Sequence, residues 1–185
     1  MTLLTTTYFG PIDWYRQLNR SDRVLLEACE SYIKQTYRNR CIIATANGPQ
    51  ALTVPVEHGG SRLIRDIRIS QHGSWRRQHW NALQSAYSES PFFEYYADDI
   101  RPFFDRDYEF LYDFNYSIMQ KMCELLDLHP DIAETTEWKQ GSKVEGQRSK
   151  GVPYYQVFAH KHGFLPNLSI LDLLFNMGPE GIFWL

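Results

Sequence analysis

The sequence predicts a single α/β domain in which a mixed, partly parallel sheet is flanked by helices. Segments that favour strands alternate with segments that favour helices along most of the chain, which is the order that this fold class requires. The 185 residues suit one hydrophobic core, and the 43% of apolar residues, with 15% aromatic, give that core enough material to bury. We therefore expect residues 1–185 to form one unit.

The chain begins with a strand–helix–strand pattern. Leu3 to Phe9 is rich in β-branched and aromatic residues, which favours a strand. Pro11 suits the first position of a short helix that ends near Asn19. The apolar run Val24 to Leu26 is typical of a strand buried on both faces. About a dozen residues separate the two strands, which is close to the minimum for a parallel crossover.

A hairpin is predicted between Cys41 and Val56, because Asn47 and Gly48 tolerate the positive φ angles of a tight turn. Pro55 has no N–H for a ladder, so the second arm should end there or follow a sheet edge. The next run that favours a strand is Leu63 to Ile69. We expect the hairpin and this run to join the first two strands in one mixed sheet.

Apolar periodicity predicts two amphipathic helices in the middle of the chain, one from Trp75 to Tyr87 and one from about Asp107 to Leu126. Ser74 is placed to cap the first helix. Asp105, with Asp107, suits the positive N-terminal end of the second helix.

The last third of the chain contains a segment poor in large apolar residues, from Pro130 to Gly151. We expect a mobile loop at about residues 130–151 that closes over a ligand. Tyr154 to Ala159 favours a strand. Ser169 and Asp172 resemble a capping box at the start of an apolar helix, Ile170 to Met177.

Charge and cysteine content narrow the function classes. The formal net charge of -3 provides no global field for nucleic acid or an anionic membrane, so nucleic acid is not an expected partner. Three cysteines without CxxC spacing argue against a disulfide framework and a structural zinc site.

No apolar run reaches the length of a membrane span, and residues 1–10 lack the features of a signal peptide. We expect a cytoplasmic protein, and the sequence leaves the oligomeric state open.

Polar residues that follow the predicted strands are candidates for binding an anion, because ligands of open α/β sheets bind beyond the carboxyl ends of strands. Tyr8 ends the first strand beside a helix N-terminus, whose free amide groups suit an anion. Lys34, Arg38 and Arg40 follow the second strand and bear charges that bind carboxylate or phosphate. The alternative interpretation of these three cations is a solvated loop.

Two residues interrupt the apolar face of the helix that begins at Trp75. His79 is a candidate general acid or base, since histidine exchanges protons near neutral pH. The alternative is a core histidine whose ring is satisfied by hydrogen bonds. Arg76 and, in the preceding loop, His72 are further candidates for substrate binding.

Signatures of cofactors are weak or missing in the sequence. His160 and His162 would share one face of a strand, but no third metal ligand accompanies them. The chain has no P-loop, no GxGxxG and no GxSxG. The sequence therefore names no cofactor and no metal.

Several short blocks, taken in order, resemble the WbqC-like protein family across nearly the whole chain. The blocks are Tyr8-Phe9-Gly10-Pro11 with Tyr15, Tyr32-x-Lys34 leading to Asn39-Arg40, Leu52-Thr53-Val54-Pro55-Val56, Trp75-x-x-x-His79 with Tyr87, Tyr155-Gln156-Val157-Phe158, and Leu168 to Pro179. The resemblance implies a role in surface polysaccharide or O-antigen biosynthesis, with glycine or aminoacyl transfer as the activity. This chain departs from the family at its start, where Thr5-Thr6-Thr7 replaces the His-Gln-Pro of many members.

The preferred hypothesis is a transferase that acts on a small-molecule or nucleotide-linked substrate. Lys34, Asn39 and Arg40 would bind the anionic part of that substrate, and His79 would transfer the proton. We expect these residues and His72 to converge on one pocket.

The alternative is a ligand-binding or interaction domain that catalyses nothing, which the missing N-terminal histidine favours. RNA binding through Arg38, Arg40 and the helix that begins at Trp75 ranks last because of the acidic balance.

Overall fold

The computed structural model describes residues 1–141 and 150–185 and shows an α/β fold with parallel strands flanked by helices. The predicted fold class is therefore confirmed. The strands are β1 (Thr2–Thr5), β2 (Val24–Glu27), β3 (Arg40–Thr45), β4 (Gly48–Thr53) and β5 (Ile132–Glu134). The helices are α1 (Ile12–Arg20), α2 (Trp75–Tyr87), α3 (Phe93–Ile100), α4 (Pro102–Asp105), α5 (Leu111–Leu125), α6 (Ala159–His162) and α7 (Ile170–Met177), with 3₁₀ turns at Ile64–Asp66 and Gly178–Trp184.

The predicted strand–helix–strand unit is present at the start of the chain. β1 and β2 pair in parallel with Thr2 opposite Val24, and α1 is the crossover between them. Pro11 precedes α1 in an extended conformation. Val24 and Leu26 are buried, since β2 is the central strand and has a partner on each side. The prediction of a parallel crossover is confirmed.

The third strand of this sheet, β5, comes from the segment that was expected to be a mobile loop. β5 pairs in parallel with β2, with Val24 opposite Ile132. The pairing continues past the strand, because the Thr135 N–H donates to the Leu26 carbonyl at 3.0 Å. Residues 142–149 of the predicted loop lie outside the described residues. Its mobility and its closure over a ligand therefore stay predictions.

β3 and β4 form the predicted antiparallel hairpin, but they make a separate two-stranded sheet. The expectation of one sheet that includes the hairpin is wrong. Pro49 within β4 and Pro55 after it lack the N–H that a further ladder needs, so this arm stays at an edge. Leu63 to Ile69 is not a strand either. It forms a 3₁₀ turn, and its two ends join other segments through isolated bridges, Leu63 with Ser31 and Ile69 with Val56.

The helices agree with the sequence in part. α2 spans the predicted residues, and α7 begins as expected at Ser169, whose hydroxyl accepts a hydrogen bond from the Leu171 N–H. α5 is shorter than predicted and begins after Phe110, so Asp105 belongs to α4 instead of capping α5. Tyr154 to Ala159 is not a strand, and the chain there leads into α6.

One core holds the two sheets and the helices together. Its largest fully buried side chains come from α1, α2, α5, α7 and the turn after β1, and they include Trp14, Tyr8, Tyr15, Tyr87, Phe9, Phe114 and Phe175. Among the described residues, no helix combines the length and the apolar composition that a bilayer crossing requires.

Candidate functional site

Two chain segments meet beside the hairpin and form the walls of a cavity. One wall is Ser31–Lys34, after β2, and the other is the loop Glu57–Arg62, after β4. The Tyr32 N–H donates to the Arg62 carbonyl at 2.7 Å, and Ser31 bridges Leu63 in antiparallel fashion. These backbone contacts fix the distance between the walls although about 30 residues separate them in sequence.

The cavity between these walls, here called the loop cavity, has a volume of about 750 Å³, which lies within the range of small-molecule sites. It is lined by Ser31, Tyr32, Lys34, Val56, Glu57, His58, Gly59, Gly60, Ser61, Arg62 and Ile67. Lys34, predicted from sequence as a ligand-binding residue, is exposed on this surface. Arg62 places a second cation on the other wall.

The cations of the loop cavity form no salt bridge with a carboxylate of the described residues. Within residues 1–141 and 150–185, neither Lys34 nor Arg62 forms a salt bridge, and the same is true of Arg20, Arg77 and Arg106 elsewhere in the fold. Arg40 also forms none in that part of the chain, and its Nε atom is buried without a hydrogen-bond partner. Of the three, Lys34 and Arg62 line the loop cavity, where their charge is available for a bound anion.

The charge of Arg40 affects the pKa of Tyr32, a residue that lines the loop cavity. Burial raises the pKa of Tyr32, and the positive charges of Arg38 and Arg40 oppose that increase. The hydroxyl of Tyr32 therefore stays protonated at neutral pH and lies in a positive field. A protonated hydroxyl donates a hydrogen bond to an anion.

A second cavity, of about 480 Å³, lies against the same loop. Its lining shares residues 57–61 and Ile67 with the loop cavity and adds Asp66, Arg68 and Phe110. Arg68 stacks over the Phe110 ring and forms a salt bridge with Glu109. The loop Glu57–Ser61 is thus a wall that the two cavities share.

His79 and Tyr8 are brought together, but inside the core. The Tyr8 hydroxyl and His79 Nδ1 are 2.8 Å apart, and the His79 side chain packs against Trp75 and Phe104. Burial lowers the pKa of His79 to about 4, and a hydrogen bond to the Thr53 backbone opposes that decrease. The ring is neutral at pH 7 and lines neither the loop cavity nor the second cavity.

Asn39 and Arg38 also have partners within the fold. The Asn39 side chain donates to the Val54 carbonyl at 3.0 Å and ties β3 to the chain after β4. Arg38 forms two hydrogen bonds of 2.6 Å to the two carboxylate oxygens of Glu30, and both side chains are buried. Glu30 therefore neutralises the charge of Arg38.

The remaining predicted residues lie near the N-terminus of α2. His72 is exposed in the loop before the helix. Arg76 stacks on Trp75, donates to the Gln71 side chain at 2.8 Å and lies 3.3 Å from an Asp107 carboxylate oxygen. The structure thus divides the predicted single pocket: Lys34 lines the loop cavity, and neither His72 nor Arg76 lines either cavity. Their roles in binding stay predictions.

The sequence model of the WbqC-like protein family matches residues 6–148 and 138–183. The chain belongs to the WbqC-like protein family. The resemblance drawn from its short motifs is therefore confirmed. An uncharacterized protein of Mycobacterium tuberculosis is 28% identical over 188 aligned residues, which cover 80% of this chain and 81% of the relative. No solved structure gives a significant match.

This WbqC-like chain also contains a buried carboxylate that sequence analysis placed in a capping box. Asp172 accepts hydrogen bonds from the hydroxyls of Tyr87 at 2.8 Å and Tyr154 at 2.5 Å, and from the Gln156 amide at 3.2 Å. Burial raises the pKa of Asp172 to about 6, although the bonds from Tyr154, Tyr87, Gln156 and Asn176 oppose the increase. Asp172 lies in α7, Tyr87 lies in α2, and Tyr154 and Gln156 precede α6. The carboxylate therefore links these three parts of the fold by hydrogen bonds.

Other chemistry in this WbqC-like chain is limited. Burial raises the pKa of Cys41 and of Cys123 to about 12, so both remain neutral thiols and poor nucleophiles. No group of three or more His, Cys, Asp or Glu side chains suited to a metal occurs among the described residues. A third cavity, beside β1 and α1, contains two arginines. The Arg16 guanidinium binds Asp13 and the Trp184 carbonyl, whereas Arg20 is exposed and forms no salt bridge within the described residues.

Sequence analysis of this WbqC-like chain missed Arg62 and His58. His58 precedes Gly59-Gly60, and Arg62 comes two residues after it. The glycine pair indicated only a turn, and no local pattern shows that this turn meets Ser31–Lys34. The signal that the sequence offered was the charge of Arg62 two residues after a glycine pair. This combination is consistent with a loop that approaches a ligand.

Proposed function

We propose that this WbqC-like protein is a transferase acting on a small or nucleotide-linked substrate, whose anionic part binds in the loop cavity. The observation that carries the proposal is the pair of cations without salt bridges, Lys34 and Arg62, on opposite walls of that cavity. Arginine and lysine bind phosphate or carboxylate groups, and a concave site strengthens the attraction. The family resemblance supplies the reaction, glycine or aminoacyl transfer in surface polysaccharide biosynthesis.

Two cavities that share one wall support transfer over simple binding. A transferase holds a donor and an acceptor close together, since proximity and orientation provide much of the rate enhancement. The loop cavity and the second cavity both contact residues 57–61, so ligands in the two volumes would lie on either side of one short loop.

The competing function is a domain that binds a small anion and catalyses nothing. Two observations favour it: Thr5-Thr6-Thr7 stands where many family members have His-Gln-Pro, and His79 is enclosed in the core. Both functions require the same anion site. The identity of the bound molecule separates them, and native mass spectrometry of protein purified without added ligand would reveal it.

The anion site is tested by calorimetric titration with inorganic pyrophosphate. Lys34→Ala and Arg62→Ala should each weaken binding about five- to tenfold, because each removes one charged contact. Lys121→Ala is the matched control, since Lys121 pairs with Glu124 on α5 and lines neither cavity. Equal affinity of wild type, Lys34→Ala and Arg62→Ala would reject the loop cavity as the anion site.

A further inference from the structure

Histidine is the side chain best suited to exchange a proton with a bound ligand near neutral pH. This chain has six histidines, all within the described residues. Their positions show which of them is able to reach a ligand in the proposed site.

Five of the six lie away from the shared wall. His79 is enclosed in the core, and His72 is exposed in the loop before α2. His129 contacts Asp127 after α5, and His160 and His162 belong to α6, where His162 lies near the Thr45 and Ala46 carbonyls. None of these five lines the loop cavity or the second cavity.

His58 is different, because it lines both cavities. It is exposed, and no hydrogen bond joins its ring to another residue in the described part of the chain, so the ring is free to contact a ligand. The next residue, Gly59, has a φ of +90°, a conformation that glycine adopts without strain, and a side chain there would meet nothing within 4 Å. The backbone thus presents His58 at the tip of an open loop.

Charged groups of both signs surround His58 on the two sides of the loop. In the loop cavity it shares the lining with Lys34, Arg62 and Tyr32. In the second cavity it faces Asp66, which accepts a hydrogen bond from Ser61, and Arg68, which pairs with Glu109. Glu57 lines both volumes. A ligand held by the two cations would therefore place its anionic group within the reach of an imidazole flanked by carboxylates.

We propose that His58 is the residue that exchanges a proton with the ligand bound in the loop cavity. This inference rests on the proposed function, because it requires an anion between Lys34 and Arg62. As a general base, its neutral ring accepts the proton of an attacking hydroxyl or amine, and that nucleophile forms its new bond with the transferred group. The bond between the transferred group and the donor's leaving group breaks, the leaving group keeps the electron pair, and the imidazolium donates its proton to that leaving group.

The test is the affinity for sulfate at pH 6 and at pH 8. Sulfate keeps the same charge over this range, so a change in affinity reports on the protein. In wild type, sulfate should bind about fivefold more tightly at pH 6, since a protonated imidazole adds one positive charge beside the anion. His58→Gln should remove this pH dependence while retaining binding at pH 8. His129→Gln, which alters an exposed histidine elsewhere, should behave as wild type.

The outcomes separate the inference from the proposed function. If His58→Gln keeps the full pH dependence, or wild type shows none, the role of His58 is rejected while the anion site stands. If sulfate binds wild type and Lys34→Ala equally, or binds neither, the anion site itself is rejected, and the role of His58 with it.

Discussion

Asp172 and His79 should have opposite effects on the stability of this protein as the pH falls, and one pair of variants measures both. Burial raises the pKa of Asp172 from 3.8 to about 6, so the folded state holds a proton on this carboxyl more tightly than the unfolded chain does. The bound proton therefore stabilises the folded state. This stabilisation is fully present below pH 4 and is lost as the pH rises through 6. The difference in pKa corresponds to about 3 kcal/mol.

The sign for His79 is reversed. Burial lowers its pKa from 6.5 to about 4, so the unfolded chain binds the proton more tightly. The contribution of the neutral ring to folding is fully present above pH 6.5 and is lost as the pH falls through 4, again by about 3 kcal/mol. Between pH 4 and 6 the two groups therefore offset one another in wild type.

Urea unfolding of wild type, Asp172→Asn and His79→Asn at pH 7 and pH 4 tests this balance. The asparagine at 172 does not titrate, so Asp172→Asn should lose about 3 kcal/mol relative to wild type on going from pH 7 to pH 4. His79→Asn keeps an acceptor for the Tyr8 hydroxyl and should gain about 3 kcal/mol relative to wild type over the same change. A stability difference from wild type that does not vary with pH would refute the assignment for that residue.

Three further substitutions should each lower the free energy of unfolding, as measured by urea denaturation. Tyr8→Phe should cost about 1 to 3 kcal/mol, because it leaves His79 Nδ1 buried without its partner, and an unchanged midpoint would contradict that contact. Gly178→Ala should cost more than about 1 kcal/mol, since φ is +58° and a Cβ atom would lie 2.6 Å from the Phe92 ring. Ser169→Ala should cost about 1 kcal/mol by removing the cap of α7, whereas Ser169→Asp should retain most of the stability.

Local sequence patterns were sufficient to predict the elements whose signals are complete within a short window. Val24 to Leu26 is a continuous apolar run, and its distance from β1 allows a parallel crossover. α2 has a clear apolar face, and α7 has a serine cap and a terminal glycine. In each case propensity, periodicity and boundary residues agree, which makes a sequence locally consistent with its fold.

The elements that were missed depend on tertiary partners. β5 has three residues, too few for a periodic pattern, and it exists because β2 offers an open edge for it. α3 and α4 are short helices separated at Arg101 and Pro102, a boundary that breaks the periodicity. The candidate site has the same limitation. Lys34 stood out by its charge, but its juxtaposition with the loop Glu57–Arg62 is created by backbone pairing between distant segments.

The carboxyl edge of the parallel sheet was the first place expected for a ligand, and the structure fills it with the protein's own polar groups. Glu27, at the end of β2, is fully buried and accepts hydrogen bonds from the Cys29 N–H at 2.8 Å, the Thr135 hydroxyl at 2.6 Å and the Lys139 N–H at 2.9 Å.

A few residues further along, Glu30 and Arg38 satisfy one another in the same way. Charged groups that are buried and bonded to each other have no capacity left for a ligand, and separating them would cost several kcal/mol. These internal bonds, together with two buried carboxylates, disfavour an anion at the end of β2 itself. The first cation after β2 that is exposed and has no salt bridge in the described part of the chain is Lys34, which lies on the wall of the loop cavity. The general rule for α/β sheets thus leads to the side of the fold where we propose the anion site, and the internal ion pairs place that proposed site in the loops beyond the strand ends.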